Sequence, residues 1–393
     1  MRRILFLVTW MCAVPVSLTP AADWPMWRHD PARSGAAVDA LPSTLSVAWW
    51  RDLPANHIAW GEDPRIQFDA THEPIVVGQT LLVASSRTDS VTALDTRSGQ
   101  VRWEFFTNGP IRFAPVAQDG RIYFGSDDGH LYCVAIASGK LIWKFDAAAT
   151  GRLVLGNERL ISVWPLRGGV VLGGDKLFFT AGVWPFEGTS LFTLDLAAAN
   201  GGVPPHEVTQ LDTVAPQGYL VYNNQRLYIP GGRAKATCID IPTGKVIALN
   251  YNSPGKTDYH ITSAGPMLFH GDKVFHTQLG RVMPCEGRRP VSDGRQLFGG
   301  GAKGLVAFDL GMRQTVKGKD RKGNDVEKEV VPSLWKLPIA AEGEKPGPLE
   351  VYCKAGGRIY GARDSSVFAI QLGAGKTAPK VAWQQTVEGQ PAS

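Results

Sequence analysis

The side chains best suited to chemistry are strung along the chain rather than clustered. Arg112, Arg167 and Gln217 recur at the starts of short apolar runs, in one column with Thr71, Ala264 and Leu349, and His72 and Glu350 stand one place on. His260, beside Tyr259, opens another run, and His276 lies within one. Two guanidiniums converging on a funnel suit an anionic ligand or a carboxylate-rich partner, because the planar fork pairs with carboxylate geometry. The competing role for Arg112 and Arg167 is to bond backbone carbonyls or to pair with Glu62, Asp63 or Glu73. The two histidines read as structural. No Ser-His-Asp, His-Glu-x-x-His, phosphate-loop or Asp-rich calcium pattern is present, so no catalytic residue and no metal ligand is assigned.

Beyond the leader described below, the cysteines are Cys133, Cys238, Cys285 and Cys353. None is adjacent to another and none forms Cys-x-x-Cys, which excludes haem attachment and a zinc ribbon. Cys133 and Cys238 share a column with Ala93, Thr193, Ala307 and Ala369, a column that wants a small buried residue. In an exported chain a disulfide stays open as a reading, with Cys285 its first candidate.

The elements that must position these residues are repeats. Ala114 to Phe145 reads as three β-branched and aromatic runs separated by Asp-Asp-Gly and Ala-Ser-Gly-Lys, the signature of an antiparallel meander. Its turn and second strand, Asp119–Ser126, superimpose without gaps on Gly78–Ser85, Gly174–Ala181, Asn224–Gly231, Gly271–Gln278 and Gly356–Arg363. A third strand follows each copy, ending with Leu305–Asp309 and Val367–Gln371, and a fourth often carries Trp, as at Trp103, Trp143 and Trp383. Four strands at a period of about 40 to 55 residues predict the blades of an all-β propeller, since one small sheet cannot bury its own faces. The tryptophans then pack neighbouring blades together. Ile75, Val116, Val171, Val221, Leu268 and Cys353 form the inward column of the innermost strands.

Residues 1–22 carry two arginines, a short apolar core and a small-residue exit, which predicts a secretory signal peptide rather than a membrane span. The protein is therefore expected to be exported, periplasmic or extracellular, with no transmembrane segment. Without Arg2 and Arg3 the net charge falls from +5 to +3, near neutral for this length, which gives no case for nucleic acid. Residues 23–70 form a lead-in; within it Leu45–Leu53 shares Val-Ala-Trp with the last repeat and is expected to be a lone outer strand. Residues 55–70, with Trp60, Glu62, Asp63 and Arg65, are placed to cover one mouth of the channel. Blades fill 71–387, interrupted at 312–332 by an alternating-charge insertion that reads as a solvated hairpin or loop, and 388–393 is a tail. The count is six complete blades plus one strand of an incomplete seventh, so the sequence predicts an open, truncated ring.

The units Ala93–Phe105 and Val134–Phe145 resemble the pyrroloquinoline quinone (PQQ) repeat, a strand ending Ala-x-Asp followed by Thr-Gly and a Trp. Cys238–Asn250 keeps the Asp and Thr-Gly but loses the Trp, and Trp24–Gly35 looks like the opening of secreted bacterial PQQ-like propellers. The resemblance covers about residues 45–387. It implies one of two activities: quinoprotein alcohol dehydrogenases bind PQQ with calcium beside a pair of adjacent cysteines, and outer-membrane assembly propellers of the same repeat act as cofactor-free scaffolds. The chain lacks the cysteine pair and an acidic cluster. The expectation is a non-catalytic propeller without cofactor, binding a protein or small ligand at its channel mouth. The alternative is a divergent PQQ-dependent oxidoreductase.

Overall fold

A computed structural model of the chain describes residues 22–387, apart from 64–66, 157, 233, 250–258, 271–272, 278–280, 285–287, 302–303, 320–322, 340–346, 348 and 374–377. The leader, the tail and Cys285 thus lie outside the described residues. Among those described, no helix is long and apolar enough to cross a membrane.

Among the described residues, most strands assemble into seven antiparallel sheets of four, at 75–106, 116–146, 168–210, 221–247, 261–284, 288–337 and 350–386. Each is a meander, because adjacent runs are joined by turns that reverse the chain. In the second sheet Asp119 and Gly120 both adopt the left-handed backbone (φ 50° and 72°) that a two-residue hairpin turn requires. The third and seventh sheets each gain a short parallel strand on the inner edge, Gly218–Tyr219 and Ala36–Ala37.

The structure has one more complete sheet than the sequence predicts. Lys273–His276, aligned above as a second strand, is the third strand of a sheet whose first two are Ile261–Ala264 and Met267–His270. Gly304–Asp309, assigned to that same blade, belongs to the next sheet, opened by Arg288–Ser292 and Gln296–Gly301. The sequence merges two blades into one because the fifth sheet's turn, Ala264-Gly265-Pro266, has no closing Arg or Lys, and half of the sixth sheet's second strand, Gln296–Gly301, is glycine. For the same reason Ala264 ends an innermost strand instead of starting one. Residues 45–53 also differ from expectation: they form no strand, since no described strand pairs with them. The charged insertion is a hairpin, Gln314–Lys319 with Asp325–Val330, that sets Lys317 opposite Glu327 and Lys319 opposite Asp325.

Each sheet hides its apolar faces against a neighbour. Across the second sheet, Val116, Tyr123, Cys133 and Trp143 form a ladder that packs on Val170, Leu172 and Leu177 of the third. Equivalent ladders join first to second, third to fourth, fourth to fifth and sixth to seventh sheets, and a further core joins fifth to sixth.

The lead-in holds the ring from inside. Trp24 exchanges two hydrogen bonds with Val76, and the carbonyls of Pro25, Pro31, Ala32, Ser34 and Gly35 accept from the amides of Ala117, Tyr222, Ser263, Ser292 and Lys354. Arg33 supplies the contact to the third sheet, donating to the Val170 carbonyl at 2.8 Å. One segment of twelve residues, Trp24–Gly35, thereby touches the innermost strand of all seven sheets.

Candidate functional site at the propeller axis

Three of the sequence-selected residues converge. Arg112 and Arg167, from the chain entering the second and third sheets, clamp one carboxylate, Asp127. Arg112 Nε donates to it at 2.6 Å, and Arg167 Nε and Nη2 donate at 2.9 Å each. Arg112 Nη1 turns to Asp69 at 2.5 Å and to the His57 carbonyl at 2.8 Å. All four charged side chains are at most 4% exposed. Residues 57–63 and 67–69 close over them: the Ala59 amide caps Asp69, the Trp60 ring lies 5.7 Å from the Arg167 guanidinium, and Trp60 Nε1 donates to Gln217 Oε1 at 2.5 Å. Described residues of the 55–70 segment thus lie against this cluster, and the arginines pair internally, with carboxylates other than those the sequence suggested.

Burial alone would push the Asp127 carboxyl up, but the Arg112 and Arg167 guanidiniums reverse that and hold it below the usual carboxylate range. A carboxylate depressed by folding stabilises the native state at every pH above its ordinary value of 3.8, and that contribution disappears as pH falls toward the lower, folded value. Acid titration of the folded protein is therefore expected to release Asp127 from its two guanidiniums only below the ordinary carboxylate range, whereas burial pushes the Asp69 carboxyl up, so that Asp69 protonates first. Asp127→Asn, having no charge to lose, should flatten the acid limb of the stability curve, followed by urea melts at successive pH values.

Behind the charges the axis is filled. Trp27 from the lead-in stacks on Tyr219 at 4.1 Å and on His260 at 4.9 Å; Phe113 meets Tyr219 edge-on at 4.9 Å and stacks on Phe68 of the covering loop at 5.1 Å. Tyr219 Oη accepts from the Ala114 amide and donates to Glu73. Arg33, with no exposed surface, donates to the carbonyls of Leu220, Trp27 and Val170. Burial pushes its pKa down to about 10, so it stays charged at neutral pH.

The other candidates stand apart. His72 bonds the carbonyls of Ala84 and Pro54, His260 is part of the aromatic pile, and Glu350 is exposed on the seventh sheet. Burial pushes the thiols of Cys133 and Cys238 up to about 12 and 11, which keeps them protonated and unreactive. The sequence reading missed Asp127, hidden in a Ser-Asp-Asp-Gly turn, and Asp69, Glu73 and Arg33 as axial partners. On the lead-in side, a cavity of about 460 Å³ is lined by Asp30, Ser34, Asn223, Ser263, Asp293 and Lys354. Of its three charged side chains, Lys354 and Asp293 lie 3.5 Å apart and pair with each other, and Asp30 accepts from the Ser34 amide at 3.0 Å and from the Ser34 hydroxyl.

Residues 18–249 match the family described as outer membrane protein assembly factor BamB. No protein curated by function matches the chain. Among solved structures, a europium-containing methanol dehydrogenase is 13% identical at a TM-score of 0.53, over 94% of this chain and 86% of that one. The quinohemoprotein alcohol dehydrogenase from Comamonas testosteroni is 13% identical at 0.54, over 95% and 74%. BamB from Moraxella catarrhalis is 15% identical at 0.44, over 72% and 78%. At these identities the dehydrogenases share the fold alone.

Proposed function

Because this chain belongs to the PQQ-repeat family described as outer membrane protein assembly factor BamB, we propose that it is an exported propeller that binds a protein partner and carries out no redox chemistry at its axis. One observation carries the reading: the axial arginines are already neutralised. Asp127 and Asp69 stand against Arg112 and Arg167, and Trp60, Phe68 and Trp27 fill the space beside them. PQQ presents three carboxylates and, in quinoproteins, a calcium ion. This charge-balanced, aromatic-packed axis does not fit it, because the guanidiniums that would receive carboxylates hold two of the chain's own. Export rests on the leader-like residues 1–22, and a partner surface outside the axis follows from the axis being closed.

The dehydrogenase reading has a single feature in its favour, the Arg112 Nη2 nitrogen, which is buried and has no hydrogen-bond partner. Titration of the mature protein with PQQ and calcium, followed by quinone absorbance and thermal shift, separates the readings. We expect no shift. A site filled to a hundred times its Kd would stabilise the fold by about 2.7 kcal/mol and overturn the proposal.

A further inference from the structure

The cavity on the lead-in side, about 460 Å³, is walled by four successive sheets and by the lead-in itself. Asn223 and Ser292 end the innermost strands of the fourth and sixth sheets, and Ser263 and Lys354 lie within those of the fifth and seventh. Asp30 and Ser34 come from the lead-in, and Asp293 follows Ser292 at the rim. The volume is that of a small-molecule site, for which about 300–1,000 Å³ is usual.

The hydrogen bonds within the walls decide what such a site can offer. A serine hydroxyl has a single proton to give. Ser34 gives its proton to Asp30, Ser263 to the Met267 carbonyl at 3.2 Å, and Ser292 to the Gln296 carbonyl at 2.9 Å. Asn223 commits its amide nitrogen twice, to Ser263 Oγ at 2.7 Å and to the Gly265 carbonyl at 3.1 Å. Because a carbonyl can only accept, that nitrogen is fixed in place and Oδ1 is left as the acceptor. The backbone amides of Ser263, Ser292, Lys354 and Gly356 are committed too, to the lead-in carbonyls of Ala32, Ser34, Gly35 and Ala37. What these groups have left is oxygen lone pairs on three hydroxyls, one amide and two carboxylates.

Charge points the same way. Lys354 is the cationic side chain of the lining, and it lies 3.5 Å from Asp293. Among the described residues no lysine or arginine is in ion-pair contact with Asp30, whose nearest basic neighbour is His29 at 4.0 Å. Burial alone would push the Asp30 carboxyl up, but His29 and the two bonds from Ser34 outweigh it and hold it below the usual carboxylate range, so it is ionised at neutral pH.

We propose that this cavity binds a small organic cation, an ammonium or guanidinium group whose N–H protons meet Asp30, Asn223 Oδ1 and the hydroxyls of Ser34, Ser263 and Ser292. The site stands apart from the closed axis and does not depend on what the rest of the surface binds. An anion would meet two carboxylates and one ammonium that is already paired. A seated cation would bond the lead-in and the innermost strands at once, tightening the hold of the one on the other. It arrives either as a free small molecule or on an arginine or lysine of a partner, and the two sources share this chemistry.

The test titrates the purified chain with methylguanidinium and with tetramethylammonium, which matches it in charge and heavy-atom count but has no N–H. Calorimetry should give a Kd of about 1 mM for methylguanidinium, within reach of so small a ligand. Tetramethylammonium should bind at least about tenfold more weakly, because charge-assisted hydrogen bonds rather than the field alone hold the probe. Asp30→Asn should weaken methylguanidinium by a similar factor. Lys354→Gln, which frees Asp293, should tighten it, a gain that a damaged fold does not produce. Absence of saturable binding, equal affinity for the two probes, or unchanged affinity in both variants overturns the proposal. An acetylated Gly-Arg-Gly amide separates the sources: binding as tight as methylguanidinium supports a partner's side chain, and exclusion of the peptide beside bound methylguanidinium supports a free ligand.

Discussion

Asp127→Ala is expected to destabilise the protein by about 3–5 kcal/mol, the cost of leaving buried charge uncompensated. The side chain is 1% exposed and takes three hydrogen bonds from two guanidiniums that are themselves nearly sealed. Its removal leaves Arg167 with no carboxylate in hydrogen-bond contact and Arg112 with only Asp69. Because typical domains are stable by about 5–15 kcal/mol, such a loss would lower the yield of folded protein as well as the melting point. Urea melts of the purified variant measure it directly. A loss below about 1 kcal/mol would mean that water already reaches the cluster and that the axis is less closed than its geometry indicates. Replacing Asp127, Arg112 and Arg167 together by apolar residues of similar volume should cost far less than Asp127→Ala alone, since no charge is then stranded.

Arg33→Met should have a comparable effect by a different route. Here the partners are three backbone carbonyls, at Leu220, Trp27 and Val170, and the guanidinium lies 5.2 Å from the Tyr219 ring. Methionine fills the space but donates nothing, and each stranded buried carbonyl costs about 1–3 kcal/mol. The lead-in is expected to detach before the sheets unfold, so limited proteolysis should cut between residues 23 and 40 in Arg33→Met and spare the parent chain. Arg33→Lys, with one charged donor group in place of a fork, should fall between the two. Cleavage of the parent at the same place would show that Arg33 does not anchor the segment.

Much of the fold was legible because blade strands announce themselves locally. Turn residues such as Asp119-Gly120 and the short apolar run in Arg121–Gly125 depend on a few neighbouring positions, so a single sequence carries them. The fifth and sixth sheets were fused where that local code thins, at a glycine-rich strand and a turn lacking its basic residue. The axial site was half legible. Arg112, Arg167 and Gln217 could be placed by column because the repeat puts them at the same height. Their partners could not, because Asp127 lies in a loop between strands, Asp69 in a connection outside the repeats, and Arg33 in a segment that does not repeat. Charge pairing across a ring is a property of closure, which local periodicity does not encode.

The twelve-residue hub has a consequence for how the molecule comes into being. Its first partner, Val76, lies within reach early, but Pro290 accepts from Arg28 across 262 positions of sequence, and Ala36 pairs with Lys354. These early residues are thus the last to be satisfied, since their seats exist only when seven sheets have been laid down in order. Until then Trp24, Met26 and Trp27 wait without a core. Folding of this kind carries a heavy topological delay, as loop-closure entropy is spent before the long-range contacts return it. For a chain made amino-end first, the hub acts as a closing latch, thrown only once the strand carrying Lys354 has been laid down.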